Sequence, residues 1–496
     1  MHLPIWKPFT NEWMTFLLFL ITIFLLIGIS ELSRKYLRWK PESSRKLVHV
    51  IVGTLVSICP FIFESNFPPL TLAIVFIIIN ALALKYEAFK GMHSTERVSY
   101  GTIYFPFAFL ILAAFWWEKP ITLVLSILIM TFSDTIAAII GERTINSRQF
   151  KIWKDTKSIE GCVGMFLSSF MIIYVGTDLF AWLFNAAFFI PLPILIGVSG
   201  FVAMIVTLSE SNSSQGSDNF SVPILAALSY DLYLINYTHG DLFSLLIWSF
   251  LSGIVFLFAY KLKSLNKNGV ITAYIMGIII FGAGGLKWII PIVTFFVLSS
   301  IISKLSKSDS HLNKGSKRDI IQVLANGGIA TILAVINFYE PNENLYILYL
   351  AVIAAATADT WASEIGSFNS RNPFHIIRFK RVTKGTSGAI SFIGTFGSIL
   401  GAVVIASIGM IWDISLQLFY LIIITGSLGS LIDSLIGGSI QANFQCSKCN
   451  NLTEKRKHCN STTLHISGIY YIDNDMVNFL NTLSCLLYTS PSPRDS

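Results

Sequence analysis

The sequence predicts an all-α polytopic membrane protein with about fifteen transmembrane helices in two related helical bundles. Composition is the first reason. Of 496 residues, 53% are hydrophobic and 13% charged, with a mean hydropathy of +0.66, where a soluble globular chain carries about 25% charged residues. The second reason is that apolar stretches recur along the whole length, separated by loops that alternate between basic and nearly uncharged. The third is an internal repeat. The same composition excludes other classes. Six widely scattered cysteines make no secreted disulfide framework, and disorder needs more polarity. The net charge of +7 reports which loops stay in the cytosol rather than a nucleic-acid partner.

Taken in order, the run from Met14 to Ile29 approaches a span and lacks an Ala-x-Ala exit site, so it reads as a retained helix. Basic loops follow at Arg34–Lys46, Arg143–Lys157, Lys261–Lys267, Lys304–Arg318, Arg371–Lys384 and Lys455–Lys457. The loops between them, Pro60–Pro69, Trp117–Pro120, the stretch after Tyr237 and Tyr339–Asn344, are poor in Lys and Arg. The positive-inside rule puts the basic set in the cytoplasm and the amino terminus outside, as expected of a bacterial inner-membrane protein. Asp178–Pro193 reads as an interfacial helix or part of a span. A last helix from near Val477 is cut short, and residues 485–496 look like the translation of a sequencing adaptor. The chain then divides into residues 1–262 and 263–484.

The repeat joins these two parts. Ser133–Gly141 reads Ser-Asp-Thr-Ile-Ala-Ala-Ile-Ile-Gly, and Ala358–Gly366 reads Ala-Asp-Thr-Trp-Ala-Ser-Glu-Ile-Gly. Each closes an apolar run and precedes a basic loop with a Lys-led, Gly-containing turn, Lys157–Gly161 in one case and Lys384–Gly388 in the other. Upstream, Arg45-Lys46-Leu-Val-His49 and Arg318-Asp319-Ile-Ile-Gln322 both open a span. Downstream, Glu210-Ser211 with Asp218-Asn219 echoes Asp433-Ser434 with Asp473-Asn474-Asp475. Four features in one order predict an old duplication or fusion, with two related sites.

An ionisable group at a membrane helix end costs a few kcal/mol unless paired or wet. Asp134, Asp359 and Asp433 each end a long apolar run, and with Glu210, Asp218 and the Lys loops they gather on one predicted face. Such carboxylates can hold a hard cation such as Mg, while Lys, Arg and helix amino termini neutralise phosphate. His49 lies one helical turn after Arg45, so both can serve one pocket. No P-loop or protein-kinase signature is present, so a nucleotide site would be of another type, with apolar walls that admit a lipid acceptor from the bilayer. Cys446-x-x-Cys449 has zinc-ligand spacing. Because adjacent His458 and Cys459 are awkward as two ligands of one ion, the expected structural Zn site uses Cys446, Cys449, Cys459 and one histidine, His458 or His465. Cys59 and Cys162 read as packing residues.

The first half, about residues 30–260, resembles the polyprenol kinase family, which includes dolichol kinase and the phytol kinases. The resemblance rests on Arg45-Lys46-x-x-His49, Arg97-x-Ser99-Tyr100-Gly101 with Pro106, Asp134 with Gly141, Lys157-x-x-Glu160-Gly161, and Glu210 followed by Gly216-x-Asp218-Asn219-x-x-Val222-Pro223. It implies CTP-dependent phosphorylation of an isoprenoid alcohol. The implied catalytic residues are Asp134, Lys157, Glu160 and His49. Arg45, Lys46, Ser99, Tyr100, Gly161, Asp218 and Asn219 would bind nucleotide or phosphate, and Asp134, Glu210 and Asp218 would hold Mg.

The second half, about residues 265–484, looks like the transmembrane family that contains the phytyl-phosphate kinases of tocopherol synthesis. It carries Arg318-Asp319-x-x-Gln322-Val323-x-x-Asn326-Gly327, Thr357-Ala358-Asp359-Thr360 with Ser363-Glu364-x-Gly366, Gly385-Thr386-x-Gly388, Asp433-Ser434 with Gln441, and Asp473-Asn474-Asp475. That likeness implies catalysis by Asp359 and Lys384 and phosphate binding by Arg318, Gln322, Asn326, Gly385, Thr386 and Gly388. It also implies Mg ligation by Asp359, Glu364, Asp433 and Asp473.

Together the two resemblances imply a fusion that makes a prenyl monophosphate and then a diphosphate, with CTP, the alcohol and its monophosphate as partners in the lipid bilayer. Two other readings compete. One is a cytidylyltransferase acting on a lipid phosphate, and the other is a repeat-built ion-coupled transporter, whose charges would sit near the midplane rather than at one face.

Overall fold

The computed structural model describes residues 4–38, 41–86, 99–183, 190–307, 317–369 and 371–489. Arg97, Lys40 and Lys314 lie outside the described residues. The chain forms two compact units, Met1–Leu242 and Phe243–Ser496. The division falls one helix before the expected 262/263 boundary, for a packing reason. The helix that spans Leu242–Lys261 stacks Trp248 on Phe281 and donates the Trp248 indole N–H to the Gly277 carbonyl, which ties it to the second unit.

The first unit runs α1 (Glu12–Leu37), α2 (Pro41–Ser57), α3 (Phe67–Lys85), α4 (Gly101–Phe115) and α5 (Pro120–Leu128). A π-helical turn (Ile129–Ser133) leads into α6 (Asp134–Arg143), a hairpin of β1 (Gln149–Lys151) and β2 (Thr156–Ser158), and then α7 (Ile159–Leu183), α8 (Leu192–Ser211) and α9 (Asp218–His239). Asp178 belongs to the last turns of α7 rather than to a separate interfacial helix; residues 184–189 lie outside the described residues. Proline opens α3, α5 and α8, where its missing N–H costs nothing.

The second unit runs α10 (Leu242–Lys261), α11 (Lys267–Lys307), α12 (Ile320–Tyr339) and α13 (Glu343–Gly366). A hairpin of β3 (Phe374–His375) and β4 (Ala389–Ile390) follows, then α14 (Phe392–Met410) and α15 (Leu416–Ser439). A four-stranded sheet of β5 (Asn443–Cys446), β6 (Leu452–Thr453), β7 (Lys457–His458) and β8 (Ser461–Ser467) comes next, ordered β6-β5-β8-β7, and α16 (Asn474–Thr489) closes the unit. Cys485, in α16, is fully buried in the unit's core and lies against Gly429 of α15.

Among the described residues, 12 helices are long and apolar enough to cross a membrane. One of them, α11, is 41 residues long, about twice what a bilayer needs. It breaks at Gly285 (φ 64°, ψ −152°), a left-handed conformation that glycine adopts at no steric cost. Its two legs fold back on each other: Asn268 accepts from the Ile320 N–H, and Phe295 and Phe296 lie under Arg318. Counting the legs separately, and adding the 15-residue α4 and the 22-residue α9, accounts for the expected fifteen.

The two units share a helix–hairpin–helix frame. Ser158 Oγ accepts the Gly161 N–H at 3.1 Å, and Ser391 Oγ accepts the Gly394 N–H at 3.1 Å. A Cβ on Gly161 would meet the Ala137 carbonyl at 3.1 Å; one on Gly394 would meet the Ala362 carbonyl at 2.8 Å. A Cβ on Gly164 would strike Ile140, and one on Gly397 would strike Ile365. The hairpins pair Phe150 with Lys157 and Phe374 with Ile390. Asp134 therefore corresponds to Asp359, as the sequence repeat has it. Lys157, however, corresponds to Ile390, not to Lys384, and Gly161 corresponds to Gly394, not to Gly388.

Candidate active site

In the first unit, α6, β2, α8 and α9 converge at one end of the bundle. The π-turn before Asp134 widens the helix by one residue per turn and leaves the Met130 carbonyl to accept from outside the ladder. His49 on α2 contacts it, Nε2 to O, at 3.1 Å. The widened turn also presses on α2, where a Cβ on Gly53 would clash with Thr131. This bulge aims Asp134 toward α8 and α9. Carboxylate oxygens of Asp134, Glu210 and Asp218 all lie within 4.8 Å of one another.

Lys157 joins them from the hairpin. Its Nζ donates to Glu210 Oε1 at 2.6 Å and to Asp218 Oδ2 at 3.3 Å, with only 17% of its side chain exposed. Burial alone would depress this ammonium, but the Asp218 and Glu210 carboxylates more than offset it and hold the group above its ordinary range. Ser213 donates its hydroxyl to Asp218 at 3.1 Å. Asp134 makes no side-chain hydrogen bond among the described residues.

The motif turns pack around this cluster. Tyr100 N–H donates to the Gln215 carbonyl at 2.9 Å, and Gln215 N–H donates to Asp155 at 2.8 Å. A Cβ on Gly216 would meet Gly101 N and Ser99 Oγ at 2.6 Å, and Asn219 Nδ2 sits over Gly101. Ser99, Tyr100 and Asn219 thus lock two loops together beside the carboxylates. Three expected site residues make contacts outside the cluster. Glu160 accepts the Arg148 N–H at 2.9 Å and its guanidinium at 3.1 Å, closing the hairpin. Lys46 is tied to Glu142 at 2.5 Å. Gly161 provides the close approach of α7 to α6 described above. Cys162, expected to be a packing residue, flanks the site with Sγ 4.0 Å from Glu210 Oε2.

The second unit is arranged differently. Asp359, Glu364, Asp433 and Asp473 do not converge as a three-carboxylate group among the described residues. Asp359 and Glu364 are five residues apart on α13, which sets them well around the helix from each other. Glu364 accepts from Ser303 at 2.8 Å and from Ser306, and Arg318 lies close enough to sense its charge. Asp473 caps α16 by accepting the Met476 N–H at 3.1 Å. Asp475, two residues on, is the carboxylate that faces Gln322 and Asp319. Burial, with Asp319, Asp473 and Glu454 nearby, pushes it up to about 6. Lys384 is exposed and, among the described residues, reaches only the Ser367 carbonyl at 3.4 Å. Asn326 donates back to the Gln322 carbonyl at 2.9 Å, and Thr386 to the Thr383 carbonyl at 2.8 Å. Gly385 and Gly388 both have positive φ, and a Cβ on Gly388 would lie 2.5 Å from Gly438 Cα, so the turn rests on the end of α15. Arg318, Gln322, Asn326 and Gly327 line one side of a cavity of about 110 Å³ whose other walls, on α10 and α11, are mainly apolar.

Fold and site together define a polytopic helical membrane protein with a buried, lysine-clamped carboxylate cluster. The chain belongs to the DUF92 integral membrane protein family, whose pattern matches residues 250–486. An uncharacterized membrane protein of Methanocaldococcus jannaschii is 35% identical over 179 residues, 36% of this chain and 75% of that protein. Protein PGR of Arabidopsis thaliana is 29% identical over 279 residues, 50% of this chain and 96% of its own length. A phytol kinase of Synechocystis is 28% identical over 189 residues, 38% of this chain and 77% of that enzyme. No solved structure matches.

Proposed function

We propose that the protein is a membrane lipid kinase that phosphorylates an isoprenoid alcohol at the first-unit site, using CTP, and then phosphorylates the monophosphate at the second. The observation that carries the reading is the Lys157–Glu210–Asp218–Asp134 cluster. Its support from outside is the likeness to a phytol kinase. Three carboxylates within ligand distance, with oxygen donors only, fit a hard divalent cation such as Mg. Bound there, the cation would neutralise phosphate oxygens.

The chain's own residues supply the rest. Lys157, already charged and held, positions the transferred phosphoryl group. Asp134, the carboxylate that Lys157 does not engage, accepts the alcohol proton as the oxygen attacks phosphorus and CDP leaves. In the second unit, Arg318 takes the cationic role that Lys384 was expected to fill, with Gln322 and Asp475 at the same end. The apolar cavity beside Arg318 fits part of a prenyl chain. Both sites belong at the cytoplasmic face, with the amino terminus outside. The test is purified protein supplied with labelled phytol and each of the four nucleoside triphosphates. Monophosphate followed by diphosphate, with CTP as best donor, supports the reading; no phosphorylated lipid with any of them refutes it.

A further inference from the structure

The four-stranded sheet between α15 and α16 is too small to hold itself together. Its strands are two to seven residues long, and Leu452 and Leu464 stand 73% and 66% exposed. Its apolar interior is little more than Phe444 packed against the rings of His465 and Tyr470. Domains this small need a covalent or metal staple.

Two tight turns bring four ligand-type side chains to one point. The first follows β5: Asn450 N–H donates to the Cys446 carbonyl at 2.9 Å, and Asn450 has φ 55°. The second joins β7 to β8, where Cys459 and Asn460 have φ 52° and 54°. A two-residue hairpin turn of this hand normally uses Asn-Gly, and a cysteine held at positive φ is strained. The strain turns the Cys459 thiol toward the imidazole of its neighbour. His458 Nδ1 lies 3.3 Å from Cys459 Sγ and 3.4 Å from Cys449 Sγ, and all four ligand atoms, Cys446 included, lie within 4.8 Å of one another. A tetrahedral zinc with usual bond lengths sets sulfur and nitrogen ligands about 3.5 Å apart. His465 packs against the rings of Phe444 and Tyr470 and is not one of the four clustered side chains.

We propose that Cys446, Cys449, Cys459 and His458 Nδ1 bind one structural zinc ion. The ion has a second consequence. Glu454, in the β6–β7 connection, accepts the Ser387 hydroxyl at 2.5 Å within the Gly385–Gly388 turn and lies near Asp475. The zinc lobe therefore clasps the turn and the α16 start of the second unit.

The experiment is metal analysis of the purified full-length protein in detergent, with cobalt substitution. About one zinc per chain is expected, and the cobalt form should show thiolate charge-transfer bands and the intense visible bands of a tetrahedral site. Cys449→Ser should lower zinc below about a fifth of that, while Cys162→Ser keeps it. The outcome that overturns the proposal is a wild-type chain without zinc, cobalt spectra lacking thiolate bands, or full zinc retention in both Cys449→Ser and Cys459→Ser. The wild-type metal content and cobalt spectrum decide the matter even where a cysteine variant fails to fold, and neither depends on kinase activity.

Discussion

Lys157 is the residue on which the first site turns. Its ammonium is held above its ordinary range by two carboxylates, so it stays charged throughout the range where the protein can be assayed. Activity should show no alkaline fall between pH 7 and 9 from this group. Lys157→Gln should lower kcat by about 10²–10³-fold, the usual loss when one preorganised donor to a developing oxyanion is removed. Lys384→Gln, on an exposed loop, should leave second-step turnover within about threefold, whereas Arg318→Gln should lower it more than tenfold. Asp475 behaves in the opposite sense. Its folded carboxyl titrates near 6 against an unfolded value near 3.9, so the folded state binds more protons between those values and loses stability as pH rises through them. Asp475→Asn should therefore be more stable than the parent at pH 7.5, with the difference vanishing near pH 4, as read by thermal unfolding in detergent. A difference that does not vary with pH would contradict the assigned environment. The acidic residues and Lys157 were legible in the sequence because charge at the end of an apolar run is costly. The structural uses of Glu160 and Lys46 were not, since their partners Arg148 and Glu142 become neighbours only when the hairpin and α6 fold.

At the scale of elements, the helix–hairpin–helix frame depends on glycines at the α6–α7 and α13–α14 crossings. Gly161→Val adds atoms where the Ala137 carbonyl already stands at 3.1 Å, and should cost about 1–3 kcal/mol. The far end of the first unit is held by Asp231. Its carboxylate accepts from the Trp116 indole at 3.0 Å, Lys119 at 2.9 Å and Thr122 at 2.9 Å. Asp231→Ala strands the buried indole and hydroxyl while Lys119, partly exposed, can be resolvated; the expected loss is about 2–4 kcal/mol in detergent unfolding. No apolar periodicity marks Asp231, because it sits mid-helix among aromatic residues and becomes meaningful only when α4 and α5 are packed against α9. The spans themselves were readable from hydropathy and loop charge. The register of the repeat was not. The two connecting loops differ in length by eight residues, and aligning the visible lysines matched Lys157 to Lys384, whereas the hairpin registers make Ile390 the counterpart of Lys157.

For the whole molecule, the two units share a helix–hairpin–helix frame and differ in chemistry. The first has a half-buried lysine among three carboxylates; the second has a half-buried arginine, an exposed lysine and a sheet with a cysteine–histidine cluster. The difference suits the two consecutive acceptors proposed above, a neutral alcohol and then an anionic monophosphate. Joining the units on one chain would keep the intermediate at a high effective concentration for the second step. The most direct measurement is product analysis with γ-labelled CTP and phytol on purified wild type, Asp134→Ala and Arg318→Gln. Labelled monophosphate and diphosphate from the wild type, neither from Asp134→Ala, and accumulated monophosphate from Arg318→Gln are predicted. Pyrophosphate release with a CDP-linked lipid, or undiminished phytyl monophosphate from Asp134→Ala, would contradict the account.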